Sequence, residues 1–137
     1  MKTSKTNLSK YEYFSDTNTL YWEWQEATKN TSWDKIKKDM IEYAEMAEKY
    51  KPKNHIVNEK NQHVTLIPEY QLWIDKNVST RTIASGCERI AIIKNDNFFE
   101  EVAVQQLFEE DNSQALQLGM FNNFNEALAW IKESAKP

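Results

Sequence analysis

The chain has 137 residues, 40% of them hydrophobic, with 5 Trp, 6 Tyr and 6 Phe. That is enough apolar material for one domain with a real core, and too much for wholesale disorder. Its 17 basic and 21 acidic residues leave a net charge of -4, which offers no basic stripe to nucleic acid and no attraction to an anionic membrane surface. A single cysteine excludes an internal disulfide, the first ten residues hold no apolar leader, and no apolar run reaches transmembrane length. These features point to a cytoplasmic protein without membrane insertion.

Residues 1–10 are rich in Lys, Ser, Thr and Asn and are expected as a flexible tail ahead of a single domain over 11–137. Tyr11 to Phe14 and Leu20 to Trp24 read as two short strands. The polar stretch Ser15 to Thr19 between them has turn chemistry, so the pair reads as a hairpin. Thr31-Ser32-Trp33-Asp34 opens a helix with a hydroxyl cap and a carboxylate three residues on. Trp33, Ile36, Met40, Tyr43, Ala44, Ala47 and Tyr50 then recur at helical spacing, with a charged face opposite, and Pro52 stops the helix.

His55-Ile56-Val57-Asn58 reads as a short central strand. Pro68 suits the first turn of a second helix, with Tyr70, Trp73, Ile74 and Val78 on one face; the β-branched, polar segment Ser79 to Ser85 is a place for it to break or end early, and Gly86 is a natural stop after it. Arg89 to Lys94 is a continuous apolar run, as expected of a strand covered on both faces. Asn95-Asp96-Asn97 caps a third helix from Phe98. Its inner face is read as Phe99, Val102, Ala103 and Leu107, widened by Val104 and Phe108. Ala115 to Phe121 is the last strand, in which Gly119 permits a bulge or a close approach, and Glu126 to Lys136 is the last helix. Helices and strands in alternation from Thr31 onward argue an α/β domain with a largely parallel inner sheet.

The chain has only two glycines, Gly86 and Gly119, which excludes Walker-type and dinucleotide-binding loops, and no serine stands in a nucleophile-elbow context. Cys87 with His55 or His63 is the one nucleophile–base pairing available. A small buried thiol is the better reading of Cys87, because it precedes a buried strand. Two histidines and one cysteine at these spacings do not make a metal site. The paired acids Glu100-Glu101 and Glu109-Glu110-Asp111 read as solvated helix surface. The stretch singled out is Asn58, Glu59, Lys60, Asn61, His63 and Thr65. It leaves the C-terminal end of the central strand, where open α/β sheets bind ligands, and it carries donors, acceptors and a titratable group.

The order of these elements resembles the STAS/SpoIIAA-like domain, and in particular a group of small bacterial STAS-like proteins. The likeness is carried by Lys51-Pro52-Lys53 ahead of the strand His55 to Asn58, by Ile67 to Ile74, by Arg89 to Ile93 and by the close Met120 to Ile131. That close is similar to the group's F-x-x-x-x-E-A-x-x-W-L ending, and the likeness spans residues 11–134. It implies a SpoIIAA-like, mixed, mostly parallel sheet of about five strands with about four helices. It also implies regulation through protein contacts, which in anti-sigma-factor antagonists are switched by phosphorylation of a serine capping the helix after the central strand. Here no Asp-Ser follows Asn58, and Thr65 is the nearest hydroxyl.

The function expected is therefore a non-enzymatic STAS-like module acting through a protein partner or as a homodimer, with no cofactor. The alternative is a carrier of a small apolar ligand or lipid, in a pocket lined by aromatics such as Trp22, Trp24, Trp73 and Phe99.

Overall fold

The structure, a computed structural model, describes residues 2–134, with side chains from residue 6 onward. Six strands form one sheet: β1 (Lys2–Lys5), β2 (Ser9–Phe14), β3 (Thr19–Trp24), β4 (Asn54–Asn58), β5 (Arg89–Ile93) and β6 (Gln117–Phe121). They lie in the sheet in chain order. The two N-terminal pairings are antiparallel and the remaining three are parallel. The mixed, mostly parallel α/β layout expected from the sequence is present. The sheet has six strands rather than about five, because the stretch expected as a tail supplies β1 and the first residues of β2. β1 has no apolar alternation to reveal it; its register is set by backbone pairing of Lys2 to Lys5 with Tyr13 to Lys10.

The helices are α1 (Trp33–Tyr50), α2 (Pro68–Ile74), α3 (Thr80–Ala84), α4 (Phe98–Leu107) and α5 (Phe124–Ser134). α2 runs through a π-helical turn, Asp75–Ser79, directly into α3, so the two make one bent rod. Ser32 Oγ accepts from the Lys35 amide to cap α1, one residue after the capping threonine read from sequence. Lys51 ends α1 in the left-handed conformation, its N–H donated to the Ala47 carbonyl. Asn97 caps α4 as expected, accepting from the Phe99 amide. The last strand is shorter than read from sequence, because Ser113–Ala115 forms a 3-10 turn.

Each parallel step adds its strand on the same side of the previous one. Crossovers of one hand then stack on one face. α1, α2–α3 and α4 cover that face and bury Tyr11, Leu20, Trp22, Trp24, Val57, Ile90 and Ile92. α5 alone covers the other face, where Tyr21, Ile56, Ala91 and Ile93 meet Ala127 and Ile131. The alternation along β3, β4 and β5 assigns each residue to its core. Gly119 lies opposite Ala91 in the register, and a Cβ there would stand 2.7 Å from Phe121 and 3.3 Å from Trp130. This is the close approach anticipated for it.

One consequence of this winding bears on function. Strand order never reverses, so the crevice of a doubly wound sheet does not form. A site at the C-terminal ends of the strands has to be built from the loops and the three helices on one face.

Candidate functional site

α4 departs most from the sequence reading. Its buried residues are Glu100, Ala103, Val104 and Leu107. This is a helical stripe turned by one residue from the expected Phe99, Val102, Ala103 and Leu107. Glu100, read as solvated, is only 8% exposed, whereas Phe98 and Phe99 are 69% and 78% exposed. The short loop 94–97 sets this rotation. Lys94 donates its backbone N–H to the Phe121 carbonyl, and Asn95 Nδ2 donates to the carbonyls of Glu59 (3.1 Å) and Gln62 (2.8 Å).

The singled-out stretch 58–65 is held in three directions. Asn58 turns sideways, donating to the Tyr21 hydroxyl at 3.0 Å and accepting from the Lys60 amide at 3.0 Å. The Asn61 carbonyl accepts from the Thr28 hydroxyl, which in turn accepts from the His63 amide. His63 Nε2 stands 3.4 Å from Glu26, and Lys60 and Thr65 are exposed. Only Glu59 goes inward. These six residues therefore do not form one surface, and Glu59 belongs instead with Gln62, Asn95 and Glu100, of which the sequence stretch named none.

Glu59 separates two voids. The larger, about 60 Å³, lies between the sheet and the helices, with Trp22, Trp24, Tyr43, Ile92 and Val104 among its walls. The smaller, about 10 Å³, is lined by Glu59, Gln62, Asn95, Glu100 and Glu101, and it shares Glu59, Ile92 and Val104 with the larger. Trp22 stacks on Tyr43 and packs against Trp24, with centroids 4.3 and 4.4 Å apart, so one wall of the large void is aromatic. Of the four aromatics expected to line a pocket, Trp22 and Trp24 do. Trp73 packs edge-on against Trp33 outside it, and Phe99 faces solvent.

Burial, with the Glu100 charge adding to it, pushes the Glu59 carboxyl up to about 8, against the pull of Gln62. Burial also raises Glu100, although its carboxyl lies against the Thr65 hydroxyl and the Leu66 backbone. One Glu100 oxygen, Oε2, is buried with no hydrogen-bond partner, as is the Trp22 indole N–H. At neutral pH the site therefore holds a protonated acid beside a second carboxyl, next to an apolar void. Such a pair can exchange a proton or neutralise a cation.

The other titratable groups read from sequence have structural partners. His55 is fully buried on β4, hydrogen-bonded through Nδ1 to the Tyr43 hydroxyl, and burial lowers it to about 3. Cys87 is buried, its thiol pushed up to about 12 by burial and donated to the Arg89 carbonyl. Neither histidine is bonded to it. Among the described residues no three His, Cys, Asp or Glu side chains converge on a metal position, and no helix is long and apolar enough to cross a membrane. Set against known proteins, the chain has no match: no family model, no curated protein and no solved structure corresponds to it.

Proposed function

We propose that the chain is a non-enzymatic STAS-like module that works through protein contact, at the rim formed by the C-terminal end of the sheet and the first turns of α2 and α4. The observation that carries this reading is the exposure of Phe98 and Phe99, whose rings sit edge to face at 6.1 Å, while a glutamate on the same helix is buried. Ile67, 41% exposed, starts the neighbouring helix, and Glu100 lies against Leu66, so the two first turns adjoin. Leaving two phenylalanines in water forgoes about 1.5–3 kcal/mol each. Exposed aromatics of this kind are the usual anchors of an interface. The element order and mixed sheet support the STAS-like assignment. Phosphorylation at Thr65 would set a phosphate against Glu100, so switching by that route is not part of this reading.

The test is a double variant, Phe98→Ser with Phe99→Ser, compared with wild type by native mass spectrometry and by pull-down from the protein's own host. Loss of self-association, or of a reproducible partner, with unchanged urea unfolding supports the rim. Survival of every such interaction rejects it.

A second reading, a carrier of a small apolar ligand, is favoured by the largely apolar void behind Glu59. At about 60 Å³ it takes a molecule far smaller than a lipid, since drug-sized sites run to about 300–1,000 Å³.

A further inference from the structure

We infer that the paired voids at Glu59 form a binding site for a small primary alkylammonium ion, its charged head between Glu59 and Glu100 and its short tail in the aromatic-walled void. This deepens the carrier reading, on which it rests, and is independent of the rim.

Four observations converge on that chemistry. The two voids differ in kind and share walls. The small one, about 10 Å³, gathers Glu59, Gln62, Asn95, Glu100 and Glu101 beside Ile92, Val104 and Met120, whereas apolar side chains dominate the large one. A space of this smaller size suits one water-sized group, and an ammonium is that size. The larger has room for roughly four to six such groups, so a tail of about that many carbons. Second, Glu100 is more than nine-tenths buried and its Oε2 has no partner. A buried acceptor left open costs about 1–3 kcal/mol, and an ammonium donor would fill it. Third, among the described residues neither Glu59 nor Glu100 is paired with a basic side chain. Lys94 is turned to Glu101 at 3.7 Å, and Lys60 is exposed. Fourth, the Trp22, Trp24 and Tyr43 rings give the larger void an apolar wall against which a short alkyl tail would pack.

The charge balance follows from the same groups. Those lining the two voids are Glu59 from the loop after β4, Glu100 and Glu101 from α4, Asn95 from the loop after β5, and Tyr43 from α1, which burial keeps neutral; Lys94 lies outside both and pairs with Glu101. An arriving ammonium favours the ionised form of Glu59, so binding near neutral pH releases that carboxyl's proton to solvent. The positive charge is then met by the carboxylates.

The experiment is isothermal titration of the whole chain with n-butylammonium, n-butanol and butyrate at neutral pH, in two buffers of different ionisation enthalpy. Wild type, Glu59→Gln and Glu100→Gln are compared, and each variant's fold is checked by urea unfolding. The expected result is that butylammonium binds at least about tenfold more tightly than butanol, or about 1.4 kcal/mol. Butyrate is not bound, protons are released, and either glutamine variant loses at least that factor. If butanol binds as well as butylammonium, the cation assignment falls and the carrier reading stands. If neither binds at millimolar concentration, both fall. Butylammonium binding unchanged in both variants marks an adventitious ion only and overturns the site.

Discussion

Replacing Glu59 with Gln isolates the energetic consequence of an acid held at the mouth of an apolar void. In the folded chain the carboxyl stays protonated up to about pH 8, whereas its ordinary value is 4.5. Between those values the unfolded chain has released the proton and the folded chain still holds it. Unfolding therefore releases one proton, and stability falls as pH rises through this window. The slope is about 1.4 kcal/mol per pH unit for one fully buried group. Glu59 is half-buried as a residue, so roughly 2–3 kcal/mol is the expected total by pH 7.5. Glutamine keeps the shape and cannot ionise. The difference in stability between Glu59→Gln and wild type should therefore widen steadily from pH 4.5 to 8, in favour of the variant. Urea titrations at half-unit pH steps, followed by fluorescence of the five tryptophans, measure it. Two parallel pH profiles would refute the reasoning, because they would mean that Glu59 ionises alike in both states.

His55 acts in the opposite sense. Burial lowers it to about 3 from 6.5, so the stability of the neutral, Tyr43-bonded form is complete above 6.5 and is lost as pH falls toward 3. Wild type should show a flattened stability maximum between pH 4.5 and 6.5, where the two slopes oppose. In Glu59→Gln the rise toward 6.5 should stand uncovered, and its absence from the same urea titrations would contradict the assignment. Asp75 clamps the turn before β6. Its Oδ1 accepts from the Ser113 amide (2.7 Å) and hydroxyl (2.6 Å), and its Oδ2 accepts from Asn112 Nδ2 at 2.9 Å. Asp75→Ala leaves these donors open and should cost about 2–3 kcal/mol in urea unfolding, and a loss under half of that would show that water replaces the carboxylate.

The elements legible in the sequence are those whose side chains alone decide them. α1 carries its period over five turns and a hydroxyl cap. The β2–β3 hairpin has aromatic strands around a turn in which Asn18 takes the left-handed conformation. β5 is an apolar run covered on both faces, and β4 is a short strand centred on Ile56 and Val57. The parts that were not legible are decided by tertiary contacts. β1 is held by its backbone ladder. The helix read from Pro68 to a stop at Gly86 is present as α2, the π turn and α3, but the polar part of its inner face, Gln71, Asp75, Ser79 and Thr82, each buried, is not readable from spacing. Hydrogen bonds to Leu66, Ser113 and the helix's own carbonyls satisfy these side chains. Period counting reads such a face as solvated. Of the site, Gln62 lies inside the stretch 58–65 without being singled out, and the one residue named from sequence is Glu59. Gln62, Asn95 and Glu100 gather around it because the β4 and β5 loops are neighbours, a fact of strand order and not of local spacing.

The exposed phenylalanines and the buried acid pair have a single origin, the rotation of α4. Apolar burial alone favours turning Phe99 inward, by about 1.5–3 kcal/mol. Against this stand Ala103, Val104 and Leu107, which fill the space under the sheet in the observed rotation, and Asn95, which ties the preceding loop to the carbonyls of Glu59 and Gln62. The helix therefore keeps its rotation, and Glu100 is carried inside with it. If that account holds, the identity of residues 99 and 100 is not needed for the fold, and a sequence chosen for stability alone would reverse their polarity. The combined variant Phe99→Glu, Glu100→Leu should fold with the same secondary structure by circular dichroism. It should gain roughly 1–3 kcal/mol at neutral pH from removal of the buried carboxyl, and it should lose both the aromatic rim and the acid pair. A variant less stable than wild type would show instead that Glu100, through Thr65 and Leu66, holds the first turns of α2 and α4 together.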